Sequence, residues 1–250
     1  MSTTPSDPTS SGPYRSGRYL DANPDWHEAD AASKAQGLLP WLARLPEPPS
    51  RVLEVGCGTG AVLATLKERL DPRWPACAWE GWDIAGEAIR RARERRGPRI
   101  RFVCGDVLAA EVTADVCLTV DVVEHIADDE GFLAAIAGRA PWHLLRIPLE
   151  LSALDVLRPA RLLAARERYG HLHHYSRELV LDRLDRSGLT VVGTAYHRVP
   201  VAPKTRRGRL FAPVRRGLEA LAPHLAARAI GGVSLVVWAR GSTAWNRTTG

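Results

Sequence analysis

Residues 52–66 read VLEVGCGTGAVLATL, in which an apolar run meets glycine at every second position and then continues at helical spacing. Glycine has no side chain, so its backbone can turn tightly and can lie close to a ligand. Gly56, Gly58 and Ala61 also match the pattern of a dinucleotide-binding loop, although a single match of this kind is weak evidence. The segment predicts a strand, a ligand-binding turn and a helix, and it leaves the ligand open.

The surrounding sequence alternates between predicted strands and predicted helices. Strands are predicted at 51–55, 76–82, 99–104, 115–120 and 142–149, and helices at 26–44, 59–70, 85–96 and 128–139. Strands separated by helices of this length form βαβ units, which give a parallel sheet with ligands at the carboxyl ends of its strands. After residue 150, the sequence predicts a helix at 177–187, capped by Ser176, and strands at 190–199 and 233–240.

Length and composition predict one large domain. The chain has 250 residues, of which 45% are hydrophobic and 25% charged, an ordinary globular balance. No apolar stretch approaches the roughly 20 residues of a membrane span, and the first residues lack the apolar segment of a secretion signal. We interpret the chain as a disordered tail (1–17), one domain (18–241) and a flexible tail (242–250). Within the domain we expect an N-terminal helical lid (18–48) and cap or insertion segments (150–176 and 200–231).

Cysteine usage and charge bear on the environment and the partners. The four cysteines contain no CxxC pair, so we expect free thiols in a reducing cytoplasm. The formal net charge is +6, and basic residues cluster between 198 and 216 without an intervening acid. This cluster is compatible with a solvated cap helix, with an anionic substrate and with weak association with a membrane surface. Phe211 is its only aromatic residue, which argues against a nucleic acid partner. Monomer and homodimer are both left open.

Three acidic residues follow three successive predicted strands. Asp83 ends the second strand, where a carboxylate can accept hydrogen bonds from both hydroxyls of a ribose. Asp106 follows the third strand, where an acid can receive the exocyclic amine of adenine, and Asp121 follows the fourth. Because these strand ends meet at one edge, the acids predict a negatively charged pocket that attracts a sulfonium cation and repels a pyrophosphate. This pattern favours S-adenosylmethionine over a nicotinamide dinucleotide.

Four motifs occur in a fixed order along the chain: LEVGCGTG at 53–60, Asp83, GDV at 105–107 and DVVEHI at 121–126. With these motifs the chain resembles class I S-adenosylmethionine-dependent methyltransferases over about residues 50–150. The segment 170–192 is similar to the branch that includes the ubiquinone-pathway O-methyltransferases. RIPLELS at 146–152 is similar to a group of bacterial members. The motifs indicate the fold and the cofactor, and they do not fix the substrate.

The resemblance implies a Rossmann-like α/β fold. It implies a seven-stranded mixed sheet with helices on both faces, the last strand antiparallel between the fifth and sixth, and a helical insertion before that strand. It also implies S-adenosylmethionine as cofactor, held by residues at the strand ends. These are Glu54, Gly56, Cys57, Gly58, Gly60, Asp83, Ile84, Asp106, Val107 and Asp121. Ala85 departs from the family, which often has serine there.

Methyl transfer mainly requires alignment of the acceptor atom with the methyl group, and a general base is needed only where that atom carries a proton. His125, His171 and Glu124 are the candidate catalytic residues. Asp121, Glu124 and His125 have i, i+3 and i+4 spacing, so in a helical turn they can bind a divalent cation, as in relatives that place a metal there. One alternative is that His125 acts as a general base. The other is that Asp121 contacts the cofactor, Glu124 caps the turn and His125 packs near the substrate pocket.

Histidines and aromatic residues outside the sheet are expected on the substrate side. The loop GHLHHYS contains His171, His174 and Tyr175, and by resemblance it borders the active site. His171 is expected there as a substrate-side ligand or base, or as a structural loop residue. Tyr19 and Trp26 precede the first strand, where the resemblance implies a lid over the cofactor. An aromatic ring in that lid can contact the sulfonium, and a core role for Trp26 is the alternative.

The sequence therefore predicts a cytoplasmic enzyme that transfers a methyl group from S-adenosylmethionine to an oxygen or nitrogen atom of a small-molecule acceptor, such as a natural product or a glycan or lipid precursor. One alternative is a metal-dependent RNA 2′-O-methyltransferase that uses Asp121, Glu124 and His125. A second is a nicotinamide-dependent oxidoreductase. A third is a regulatory protein that binds an adenosyl ligand without turnover.

Overall fold

The computed structural model describes Trp26, residues 28–200 and residues 206–242. Its strands are β1 (Arg51–Val55), β2 (Ala78–Asp83), β3 (Ile100–Cys104), β4 (Val116–Val120), β5 (Trp142–Leu149), β6 (Thr190–His197) and β7 (Val233–Arg240). They form one sheet in the order β3-β2-β1-β4-β5-β7-β6. β7 pairs antiparallel with β5 and β6, and the other pairs are parallel. The predicted seven-stranded mixed sheet is confirmed. The proposed tail 1–17, Tyr19 and residues 243–250 lie outside the described residues.

Helices flank the sheet. They are α1 (Ala31–Leu42), α2 (Ala61–Leu70), α3 (Gly86–Ala92), α4 (Asp129–Ala137), α5 (Ala153–Val156), α6 (Ala160–Tyr169), α7 (Arg177–Arg186), α8 (Arg206–Leu221) and α9 (Pro223–Ala229). Short 3-10 turns occur at Glu28–Asp30, Arg93–Arg95, Val107–Ala109 and Val123–His125. None of the described helices is long and apolar enough to cross a membrane.

Two hydrophobic cores lie on opposite faces of the sheet. One core packs α1, α2 and α3 against the strands and fully buries Leu38, Leu63 and Ile89. The other packs α4 and α7 against the strands and fully buries Leu133 and Leu184. Because the central parallel strands are covered on both faces, they form continuous apolar runs instead of alternating polar and apolar residues. The carboxyl edge of the sheet is left for the site.

Helix boundaries differ from the prediction by a few residues, for local reasons. α1 continues through Pro40 to Leu42, because a proline in the last turn removes little of the hydrogen-bond ladder. α2 begins at Ala61, two residues later than predicted, since Gly60 before it is left-handed. Ser176 caps α7 as predicted, and its hydroxyl accepts a hydrogen bond from the backbone of the third residue of that helix.

Apolar residues recur at helical spacing between Leu210 and Leu225, and the structure divides them between two helices. α8 ends at Leu221, and Pro223 begins α9, in keeping with the preference of proline for the first turn of a helix. Leu210 and Leu221 are exposed and do not cover the sheet. Residues 201–205 lie outside the described part of the chain, and surface association through 198–216 stays a prediction.

Candidate active site

The glycine loop joins β1 to α2 with a left-handed backbone at each glycine. Gly56, Gly58 and Gly60 have φ angles of 71°, 52° and 72°, which cost energy for a residue with a Cβ. A Cβ on Gly56 would overlap Val122, and one on Gly60 would overlap Phe102. At Gly58 the closest atom would be 3.9 Å away. The loop is therefore packed at two glycines and open to a ligand at Gly58.

Asp83, at the end of β2, is hydrogen-bonded to the glycine loop. Its Oδ2 accepts from the Gly58 N–H at 2.8 Å, and its Oδ1 accepts from the Ala85 N–H at 2.8 Å. Burial raises the pKa of this carboxyl, and the backbone donors oppose that shift. Each carboxylate oxygen keeps a lone pair beyond the bond it already accepts, so Asp83 can hold further donors such as ribose hydroxyls.

Glu54, in β1, lies behind this loop and is 1% exposed. Its Oε2 has no hydrogen-bond partner among the described residues. Burial raises the pKa of Glu54 to about 8; the Lys34 cation opposes the shift, and the acids Asp83 and Asp121 add to it. At neutral pH the side chain is therefore mostly protonated, and it can donate a hydrogen bond as well as accept one.

This buried carboxyl makes the free energy of unfolding fall as pH rises. The pKa of this glutamate is near 4.5 in the unfolded chain and about 8 in the folded protein, so the folded state keeps the proton to a higher pH. Its contribution to stability is thus complete below pH 4.5 and is lost progressively as the pH rises to about 8. The loss is at most ~1.4 kcal/mol per pH unit. We expect Glu54→Gln to remove this loss, so that the variant gains roughly 3 kcal/mol on wild type between about pH 5 and about pH 8. Urea unfolding of both proteins across this range measures it, and parallel curves would contradict the buried, protonated carboxyl.

Asp121, after β4, is paired with two cations. Its carboxylate binds Arg146 of β5 and lies 3.0 Å from Nζ of Lys34 of α1. Burial opposes ionisation, but the two cations outweigh it and hold the pKa of Asp121 at about 2. The expectation that Asp121 adds to the negative charge of this pocket is therefore wrong. Any attraction for a sulfonium at this edge comes from Asp83 and from the exposed Asp106.

The other residues predicted to hold the cofactor differ in their exposure. Asp106 is exposed, and its Oδ1 accepts a hydrogen bond from the Leu108 N–H at 2.9 Å. Ile84 is 42% exposed, whereas Val107 is buried in the core, so only the backbone of Val107 can face a ligand. Cys57 is also buried, and burial raises the pKa of its thiol well above the usual value, which makes it unreactive.

A second group of side chains lies beyond β4, in the turn Val123–His125. Glu124 is 1% exposed, and neither of its carboxylate oxygens forms a hydrogen bond with another described residue. His125 Nε2 lies 3.9 Å from Glu124 Oε1, and the rings of His125 and His171 meet edge-on with centroids 4.8 Å apart. Burial raises the pKa of Glu124, and burial together with His171 lowers the pKa of His125 to about 4. The Leu172 N–H donates to the Glu124 carbonyl at 2.8 Å, which brings the histidine loop to this turn.

Glu150, directly after β5, orients two histidines of that loop. Its Oε2 accepts hydrogen bonds from Nδ1 of His171 at 2.9 Å and from Nδ1 of His174 at 2.6 Å. Burial raises the pKa of this carboxyl, but the two hydrogen bonds and the histidine charges outweigh burial and lower it. With Nδ1 bound to a carboxylate, the other ring nitrogen, Nε2, is the one left for a ligand or a proton.

Comparison with known proteins agrees with this arrangement. Residues 52–139, which run from β1 past α4, match the family model described as a methyltransferase domain. Residues 52–139 therefore form a class I S-adenosylmethionine-dependent methyltransferase domain. This confirms the family predicted from the motifs, whereas the resemblance to the ubiquinone-pathway branch stays a prediction.

Proteins similar to this chain support its fold, but they differ in the reactions named for them. Trans-aconitate 2-methyltransferase from Mycobacterium sp. (strain KMS) is 28% identical over 158 residues, which cover 61% of this chain and 59% of that relative. A structure of magnesium protoporphyrin IX methyltransferase from Synechocystis PCC 6803 with bound SAH has a TM-score of 0.56 at 16% identity, covering 91% of this chain and 93% of the other. The cyclase SpnF has a TM-score of 0.60 at 16% identity, covering 93% and 97%. Because a cyclase shares the fold, the fold by itself does not determine the reaction.

Tyr175 does not line the substrate side of the methyltransferase domain. Only 4% of the residue is exposed, and its hydroxyl donates a hydrogen bond to Asp129 Oδ2 at 2.6 Å. Its backbone carbonyl accepts from the Glu150 N–H at 3.0 Å. The prediction of a substrate-side tyrosine is therefore wrong, because Tyr175 fixes the histidine loop to α4 and to the end of β5.

Trp26 lies beside the glycine loop of the methyltransferase domain. Its ring atom Cε3 is the atom that lies 3.9 Å from a Cβ built on Gly58. The turn that follows is attached to the same loop by Arg95, which binds Glu28 at 2.6 Å and donates to the Thr59 carbonyl at 3.2 Å. The turn Glu28–Asp30 is therefore tied to the glycine loop, and both the lid and the acceptor-side role expected for Trp26 stay predictions.

Three residues of the site were not identified from the sequence, namely Lys34, Arg146 and Glu150. Glu150 directly follows a strand, so the rule that ligands sit at strand ends could have found it. Arg146 stands inside the apolar strand WHLLRIPL, and a charged residue in a buried strand is itself a signal. Lys34 has no such signal, because its approach to Asp121 depends on how α1 packs on the sheet.

Proposed function

We propose that this protein transfers a methyl group from S-adenosylmethionine to an oxygen or nitrogen atom of a small-molecule acceptor. The observation that carries the proposal is the junction of Gly58 with Asp83, where an open backbone lies beside a carboxylate that keeps lone pairs. The substrate in the name of the relative, trans-aconitate, is a small molecule, which supports an acceptor of this kind.

The residues at this edge fit the cofactor. Asp83 would accept hydrogen bonds from the ribose hydroxyls, the Gly58 backbone would lie against the ligand, and Asp106 would receive the adenine amine. Glu54, with an oxygen that has no partner among the described residues, would hydrogen-bond a polar group of the methionine part. When bound, S-adenosylmethionine supplies a methyl group activated by a positively charged sulfur.

The acceptor side is served by the histidine group. His171 is oriented by Glu150 and would take a proton from an acceptor hydroxyl or amine through Nε2. His125 packs against His171, and its low pKa keeps it neutral, so it would position the acceptor by hydrogen bonding. The burial of Glu124 beside His125 limits the access of water.

Acceptor-dependent formation of S-adenosylhomocysteine from S-adenosylmethionine tests the proposal. We expect His171→Ala to lower kcat by roughly 10²- to 10⁴-fold, the usual contribution of a general base, without changing the affinity for S-adenosylhomocysteine. His224→Ala is the control, because His224 is an exposed histidine that forms a hydrogen bond with Tyr196 and has no part in the histidine group described above. Cofactor binding without turnover on any acceptor of a broad panel would favour the regulatory alternative.

A second candidate function is favoured by the buried carboxylate of Glu124, whose oxygens form no hydrogen bond with a described residue. The ligand atoms of Glu124, His125 and His171 all lie within 4.8 Å of one another. A carboxylate with two imidazoles suits Mn²⁺, Fe²⁺ or Zn²⁺, and the bond from His171 to Glu150 is typical of a metal-binding histidine. We propose this triad as a divalent-cation site in place of the predicted one, because Asp121 is already paired with Arg146. A cation there would serve the metal-dependent RNA 2′-O-methyltransferase alternative by polarising an acceptor hydroxyl.

Titration with Mn²⁺ tests the cation site. We expect wild type to bind Mn²⁺ and Glu124→Gln to bind it at least about 100-fold more weakly, because the one carboxylate of the triad is lost. Glu111→Gln changes an exposed glutamate and is expected to bind as wild type does. Calorimetry gives both affinities. Failure of wild type to bind Mn²⁺ or Zn²⁺, or equal affinity in all three proteins, would contradict the site and with it the metal-dependent alternative.

A further inference from the structure

A cleft of about 270 Å³ opens at the carboxyl end of β5, next to the end of β6. Its polar walls come from Arg146, Glu150, Asp155, Arg161, His197 and Arg198. The cleft adjoins the candidate active site through two shared residues. Arg146 binds Asp121, and Glu150 binds His171. A molecule in the cleft is therefore held next to the histidine group.

Two buried polar atoms of the cleft walls have no hydrogen-bond partner within the described residues. One is Nε of Arg146, a residue only 6% exposed, whose Nη1 binds Asp121. The other is Nδ1 of His197, whose ring also forms a hydrogen bond with the Ser33 backbone. A buried charged donor without an acceptor is costly, so the Nε–H group of Arg146 favours a ligand that brings a hydrogen-bond acceptor into the cleft.

Three guanidinium groups surround the cleft, and the acids beside them are occupied. Asp155 accepts from Arg161 at 2.7 Å and from the Ser152 hydroxyl at 2.5 Å. Glu150 accepts from two histidines, as described above. Arg198 contacts Glu219 through Nη1 at 3.2 and 3.3 Å, and a guanidinium has further N–H groups that can bind a ligand. Guanidinium forks match the two oxygens of a carboxylate or phosphate group.

We propose that this cleft binds an oxyanion, carboxylate or phosphate, of a small acidic acceptor, with Arg146, Arg161 and Arg198 as its cationic anchors. The inference rests on the proposed methyl transfer and specifies the class of acceptor. The volume lies just below the range of roughly 300–1,000 Å³ typical of ligand pockets, so the anchored acceptor is small. The anchor places the remainder of the acceptor beside His171.

Binding of trans-aconitate in the presence of saturating S-adenosylhomocysteine tests the inference, with its neutral trimethyl ester and inorganic phosphate as comparison ligands. We expect trans-aconitate to bind and the ester not to bind. Arg161→Gln and Arg198→Gln are each expected to weaken binding roughly 10-fold, because each removes a charged hydrogen-bond donor. Arg166→Gln is the matched control, since Arg166 is an exposed arginine of the same helix α6 that does not line the cleft.

The outcomes separate this inference from the proposed function. Phosphate that binds more tightly than trans-aconitate, and is weakened by the same two substitutions, would identify the oxyanion as phosphate. Absence of binding of either anion at millimolar concentration, equal binding of the ester, or equal affinity in Arg161→Gln, Arg198→Gln and wild type would overturn the anchor while S-adenosylhomocysteine still binds. Failure to bind S-adenosylhomocysteine would instead contradict the proposed function.

Discussion

Replacement of Asp83 by asparagine is expected to weaken the binding of S-adenosylhomocysteine by roughly 100-fold or more. The carboxylate accepts from the Gly58 and Ala85 N–H groups and has lone pairs left for two ribose hydroxyls. Asparagine keeps the size but loses the charge and one acceptor oxygen. Hydrogen bonds to a charged group contribute about 1.5–3 kcal/mol each, and neutral ones about 0.5–1.5 kcal/mol. The loss of one such bond and the weakening of the other therefore correspond to roughly 100-fold or more. Calorimetric titration of the purified variant measures the change.

The matched control for this substitution is Asp182→Asn. Asp182 is exposed on α7 and accepts a hydrogen bond from Arg186 one helical turn away, so the Asp182→Asn variant is expected to bind S-adenosylhomocysteine as tightly as wild type does. Circular dichroism of both variants separates lost binding from lost folding. An Asp83→Asn protein that is folded and binds S-adenosylhomocysteine as tightly as wild type would show that the end of β2 does not hold the ribose.

Gly60→Ala is expected to destabilise the protein by about 3 kcal/mol. A φ angle of 72° at this residue costs an alanine about 1–2 kcal/mol, and the added methyl group would overlap Phe102, which is buried in the core. Overpacking of a buried site adds about 1–3 kcal/mol. For a domain of this size the sum corresponds to a fall in Tm of roughly 6–12 °C. Thermal unfolding measures it.

Gly138→Ala provides the control for that experiment. Gly138 follows α4 with a right-handed φ of −84°, and a Cβ there has no atom within 4 Å. Its effect on stability is expected to stay within about 0.5 kcal/mol of wild type. Equal Tm values for Gly60→Ala and Gly138→Ala would contradict the packed, left-handed glycine loop that positions the site.

The sheet could be predicted because its signals are local. Strands covered on both faces are continuous apolar runs, and residues 51–55, 115–120 and 142–149 show this pattern clearly. Glycines at every second position fixed the position of the ligand loop for the same reason, since the required backbone angles are a property of that loop alone. The second strand was placed less well, at 76–82 instead of Ala78–Asp83, because Cys77 continues the apolar run without belonging to the strand.

The chemistry of the site depended on long-range contacts that no local pattern contains. The compensation of Asp121 comes from Lys34 on one side and Arg146 on the other, and these residues are far apart in the sequence. The burial of Tyr175 depends on its bond to Asp129, on a different helix. Residue types and strand ends could therefore locate the site, but they could not tell which acids keep their charge.

The most direct test of the central claim is calorimetric titration of the wild-type protein with S-adenosylhomocysteine, with NADH as the control ligand. The junction of the glycine loop with Asp83 predicts micromolar binding of S-adenosylhomocysteine and no binding of NADH. Binding of NADH instead, or of neither ligand, would contradict the assignment of this edge of the sheet to S-adenosylmethionine.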